Sequence, residues 1–126
     1  MYNDVNERIK EINIEDFIWI VYLGIIALSF YSNSLEKKYF IFNNEVDKEK
    51  YQKIIIVIFS ILVIVYLYFL KSSVDSIKNL NPSASQETKN LTYLSFLASL
   101  LIAISGFIYL YIAFKDKNLD IELAFN

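Results

Sequence analysis

The residues that most often do chemistry in proteins are scarce in this chain. Among its 126 residues there is no histidine and no cysteine. That removes the commonest general base, the commonest metal ligand, thiolate nucleophiles and disulfides. The carboxylates come as short pairs in polar stretches, Asp47 with Glu49 and Asp120 with Glu122. Such pairs are expected as solvated surface. Ser29, Ser60, Ser95, Ser99 and Ser105 carry hydroxyls within apolar runs, with no base beside them. No phosphate-binding glycine loop or metal-ligand spacing is present. The reading is therefore of a protein that is not an enzyme, with no catalytic residues, no cofactor and no metal.

One constellation has physical meaning. Thr92, Ser95, Ser99, Ala103, Gly106 and Ala113 recur so that, at about 100° per residue, they fall within an arc of about 80° on one helix. In lipid, apolar side chains gain little by leaving acyl tails for one another. Association then favours small residues that let backbones approach closely. Gly24 and Ala27 offer a smaller notch in an earlier segment. The candidate helix-packing residues are thus Gly24, Ala27, Ser95, Ser99, Ala103, Gly106 and Ala113. The stripe is expected to pack on the first helix, or to meet another copy or another membrane protein. The segment rich in Ile and Val between them has no matching groove and is expected to face lipid.

These positions belong to long apolar blocks. Hydrophobic residues make up 56% of the chain, above the 45–50% or so of soluble domains. A hydrocarbon layer about 30 Å thick needs about 20 apolar residues in a helix. Three segments meet that need, each free of charge: Phe17 to Leu35, Ile54 to Leu70 and Leu91 to Phe114. The fold class expected is an all-α membrane protein, three antiparallel transmembrane helices in a small bundle with short amphipathic flanks. The organisation reads as an amphipathic segment over 1–12 and transmembrane helix 1 over 13–36. A polar and aromatic loop with the start of helix 2 occupies 37–53, and transmembrane helix 2 follows over 54–71. A polar loop with the Asn81-Pro82 break covers 72–90, then transmembrane helix 3 over 91–114 and a tail over 115–126.

The first span is not read as a cleaved signal peptide. Asp4, Glu7, Glu11, Glu15 and Asp16 precede it, where a basic region would be required. Helix starts are expected at Asn13 with Asp16, at Asn44 with Asp47 and at Ser83 with Gln86. The second helix is expected from near Glu45 to near Asn79. Antiparallel threading places Trp19, Tyr22, Tyr66, Tyr68 and Tyr93 at one interface. It places Tyr31, Tyr39, Tyr51, Tyr109 and Tyr111 at the other.

The flanks look suited to contact. Tyr2, Val5, Ile9 and Ile12 recur at helical spacing and suit either a short interfacial helix or a partly ordered tail that frays. Tyr39-Phe40-Ile41-Phe42 forms an apolar knot in the first loop, expected to dip into headgroups or to cover helix ends. Leu119 to Asn126 begins with alternating apolar and polar residues. That period suits a strand that adds to a partner's sheet, and the alternative is a tail lying back on the membrane surface or the bundle.

Lysines in the first loop and C-terminus outnumber the basic residues of the N-terminus and second loop, which favours an N-out, C-in orientation in a cell membrane. Ile, Phe, Tyr, Lys and Asn dominate, and Arg8 is the single arginine. That composition suits an A+T-rich, bacterial genome. A net charge of −2 argues against nucleic acid. The expected partners are the lipid bilayer and another membrane protein or a second copy.

The function expected is a non-enzymatic accessory or scaffold subunit. In size, three-span plan and orientation the chain also resembles phage holins, which implies an oligomeric pore. It departs from many holins at the C-terminus, where Asp116, Asp120 and Glu122 offset Lys115 and Lys117.

Overall fold

A computed structural model describes residues 2–123, with side chains from Val5 onward. It contains three helices, α1 (Tyr2–Phe42), α2 (Glu45–Lys78) and α3 (Gln86–Lys115), each long and apolar enough to cross a membrane. No strand occurs among the described residues. The chain divides into two compact units, residues 1–54 and 55–126. Helix α2 starts in the first and continues into the second.

In the first unit, α1 runs unbroken for 41 residues, about 60 Å at 1.5 Å per residue. Two expectations change here. Asn13 starts no helix, and from Tyr2 to Ile12 the expected amphipathic segment is the opening of α1 rather than a separate interfacial piece. No glycine or proline interrupts residues 1–23, so the backbone ladder continues through the acidic stretch. Val5, Ile9 and Ile12 lie exposed along it, and the side chain of Tyr2 lies outside the described residues. Likewise the knot at 39–42 forms the last turn of α1 instead of a loop. Phe40, Ile41 and Phe42 are exposed there. Tyr39 is half-buried, with the Lys48 ammonium 5.5 Å from its ring centroid.

The connection from α1 to α2 is only two asparagines. Asn43 has a φ of 51° and its N–H donates to the Tyr39 carbonyl at 2.8 Å, closing α1 in a left-handed cap. Asn44 opens α2 as expected: its Oδ1 accepts from the Val46 N–H at 2.9 Å. Asparagine tolerates the left-handed region far better than a β-branched residue. Asn43→Gly should therefore leave thermal stability in detergent unchanged or slightly raised. Asn43→Val should cost about 1–2 kcal/mol, read as a lowered melting temperature.

In the second unit, α2 and α3 run antiparallel. Phe59 stacks on Tyr109, while Val63 and Tyr66 lie against Gly106, so rising positions on one helix meet falling positions on the other. Helix α2 ends at Lys78, close to the expected Asn79. The start of α3 is shifted from expectation. Its cap is Ser85, whose Oγ accepts from the Thr88 N–H at 3.2 Å. Ser83 is held in the turn after Pro82 instead, its N–H and hydroxyl both donating to Asn81 Oδ1. Ser85→Ala should cost about 1 kcal/mol and Ser83→Ala less, a ranking that melting curves would reveal.

The tail does not form a strand through Leu123. Leu119 has a φ of 57°, and the Asp116 carboxylate accepts from the N–H groups of Asp120 and Ile121 at 3.0 and 2.8 Å. Those donors are no longer free to pair with a partner's sheet. Leu123 is buried, as suits a tail lying back, while Ala124, Phe125 and Asn126 fall outside the described residues.

Candidate functional site in the α2–α3 seam

The packing seam is built from one face of each helix. On α3, Ile102, Ser105, Gly106 and Tyr109 share a face at spacings of three and four. On α2, Phe59, Val63 and Tyr66 do the same. Phe59 is 2% exposed, and its ring lies 5.5 Å from that of Tyr109 with 29° between their planes. At Gly106 the two helices are in close contact. A Cβ placed on it would lie 2.8 Å from Tyr66 Cδ2 and 3.3 Å from Val63 Cγ2. The glycine thus lets an aromatic edge rest directly on the α3 backbone.

The expected packing residues separate into groups. Ala103, Gly106 and Ala113 are buried. Ser99 is half-buried and Ser95 exposed, so the stripe is used in its C-terminal part. Gly24 and Ala27 are exposed, and a Cβ on Gly24 would meet nothing within 4 Å. The buried residues of α1 are Ile18, Ile25, Ser32 and Leu35, a seven-residue recurrence with one addition. Small residues permit close approach but do not compel it, and the buried stripe of α1 runs through Ile18, Ile25, Ser32 and Leu35 rather than Gly24 and Ala27.

Two findings concern neighbours. Gly106 meets the second helix, through Tyr66 and Val63. Helix α2 was expected to face lipid, yet Ile55, Ile58, Phe59, Leu62, Val63 and Val65 are all buried. In a bilayer, apolarity does not distinguish a lipid-facing side chain from a protein-facing one. Stiff β-branched residues lose little freedom on packing, so an Ile- and Val-rich helix serves well as the ridge opposite a groove. Tyr66, assigned to an interfacial belt, is turned onto Gly106 instead. The spacing of Phe59, Val63 and Tyr66 was the available signal for this face.

Some serine hydroxyls of α1 and α2 are served by their own helices. Ser32 Oγ donates to the Ser29 carbonyl at 2.9 Å and Ser73 Oγ to the Leu70 carbonyl at 2.8 Å. Both serines are buried. Among the described residues, no three side chains of Asp and Glu converge in a way that would hold a metal ion. What the seam can do is pack, and enclose a small groove beside Gly106 lined by Phe59, Tyr66, Ile102, Ser105 and Tyr109. No protein-family model matches the chain, and neither a curated protein nor a solved structure matches it.

Proposed function

We propose that this chain is a non-enzymatic accessory or scaffold subunit of a bacterial cell membrane, oriented N-out and C-in, acting on another membrane protein through its helical flanks. The observation that carries the reading is the length of α1. It has 41 residues, where about 20 suffice to cross the hydrocarbon. The surplus on its N-terminal side is a continuous helix, so it projects a defined surface rather than a fraying tail. Along that surface Val5, Ile9 and Ile12 are exposed at spacings of four and three, between Glu7, Arg8, Lys10 and Glu11. An apolar stripe rimmed by charge is the pattern by which a helix docks in a partner's groove. The pairing of Arg8 with Glu11 at 3.1 Å keeps those two charges on the helix itself.

The alternative, an oligomeric pore, would draw on the small-residue stripe for contacts between copies. Burial of Ala103, Gly106 and Ala113 within the chain leaves less of that stripe for such contacts.

The test is purification in mild detergent at native expression level, with the mass and identity of whatever co-purifies. A second membrane protein in fixed ratio, lost on Ile9→Glu with the fold intact, is the expected result. A homo-oligomer that leaks liposomes would transfer the assignment to the pore. Turnover of a substrate by the purified chain would end the accessory reading.

A further inference from the structure

The exposed line on the N-terminal flank of α1 ends in negative charge. At about 100° per residue, Val5, Ile9, Ile12 and Asp16 fall within an arc of about 60°, at spacings of four, three and four. All four are exposed. Glu15 borders this line, and Glu7 lies on the opposite face of the helix. Arg8 borders it too, but its guanidinium is held by Glu11 at 3.1 Å. Among the described residues, no cation pairs with Glu15 or Asp16. Asp16 is also the last charge before the charge-free block from Phe17 to Leu35.

Three kinds of surface are able to shield such a line from water. The first is a bilayer surface, on which an amphipathic helix must lie flat. Helix α1 is unbroken from Tyr2 to Phe42, with no glycine or proline before Gly24 to turn it at the edge of its span. Val5 therefore stands about 16 Å beyond Asp16 along the helix axis. Anionic lipid would also repel the acids. The second is another copy of the chain. Copies share one orientation in a membrane, so symmetric pairing along this line sets Asp16 against Asp16 at the same level. Like charges meeting at the edge of a low-dielectric layer oppose that pairing. The third, a groove on a different protein, meets neither obstacle.

We propose that Val5, Ile9 and Ile12 dock in an apolar groove of another membrane protein, and that a lysine or arginine at the membrane-proximal end of this groove meets Asp16 and Glu15. Long cationic side chains at span ends reach to the interface, so a membrane protein carries such a charge at the level of Asp16. The apolar contacts supply most of the affinity, and the charge contact fixes register and partner choice. The inference rests on the accessory reading and adds to it the chemistry of the partner's surface.

The experiment measures the affinity of the complex purified in mild detergent from native membranes, at low and at high salt. Asp16→Asn combined with Glu15→Gln should weaken it about tenfold at low salt, with helicity and melting retained. Glu7→Gln, on the opposite face, should change it less than about twofold. High salt should weaken the native complex and narrow its gap to the double variant. A complex that forms but ignores both the double variant and salt overturns the inference and leaves the accessory reading standing. A preparation without a second protein removes the accessory reading itself. The other occupants are tested on the full chain alone, in vesicles of phosphatidylcholine and phosphatidylglycerol. Ile9→Cys supplies the one thiol of the chain, and an environment-sensitive dye attached there should report water. Quenching of that dye by spin-labelled lipid gives the line to the bilayer, and efficient disulfide dimers through the unlabelled thiol give it to a second copy. Either outcome overturns the proposal.

Discussion

Gly106→Leu is expected to break the α2–α3 pairing. The first added carbon alone would sit 2.8 Å from Tyr66 Cδ2 and 3.2 Å from Cε2. Those are near-edge atoms of a ring fixed to its own backbone through a single Cβ, so they cannot swing aside as the end of a flexible chain could. Leucine then adds three further carbons. Overpacking of this kind costs about 1–3 kcal/mol, occasionally more, and the upper end is expected. Gly106→Ala should come near to break-even. Its clash is smaller, and alanine gains about 1 kcal/mol over glycine in a helix interior. The measurement is thermal unfolding in mild detergent, followed by helicity and by monodispersity. Loss of the folded monomer identifies the glycine as internal packing. A folded monomer that merely fails to assemble would place its contact with another chain. Tyr66→Ala should rescue Gly106→Leu in part, with a coupling energy of about 0.5–3 kcal/mol.

Phe59→Ala carries the other large effect. Its side chain is 2% exposed and stacked on Tyr109. In an aqueous core this truncation costs about 3–5 kcal/mol, part of it transfer from water and part the cavity left behind. For a helix that already resides in lipid the transfer part largely disappears, because acyl chains are as apolar as the core. The cavity and the lost ring contact remain, giving about 2–3 kcal/mol. Val57→Ala, on the exposed side of α2, is the matched control and should change stability by less than about 0.5 kcal/mol. Equal losses at both positions would show that the seam does not hold the two helices together.

The two substitutions test opposite sides of one fit. Gly106 provides the recess, and Phe59, Val63 and Tyr66 provide the ridge. Neither side is informative without the other, so the arc of small residues on α3 did not by itself reveal what Gly106 rests against. The stripe is local: its arc follows from helical geometry. Its neighbour is not, because the ridge consists of the same aliphatic and aromatic types that face lipid elsewhere, as Trp19, Phe30 and Ile64 do.

The existence, number and approximate extent of the helices were settled by residue order. Charge-free apolar blocks must satisfy their backbone hydrogen bonds internally, and only a helix does so within a single segment. The Asn44 cap and the end of α2 near Lys78 followed from local chemistry for the same reason. Three matters emerged only in the structure. It carried α1 unbroken through Asn13 and through 39–42, where competing local signals for a start and a loop were outweighed by an uninterrupted backbone ladder rather than by packing, since those segments are largely exposed. It chose Ser85 over Ser83 as the cap of α3, two serines alike in propensity but differing in how the Asn81 turn holds them. It also set Gly106 against Tyr66 and left Gly24 open, since in a bilayer hydrophobicity cannot choose between neighbours and only shape can.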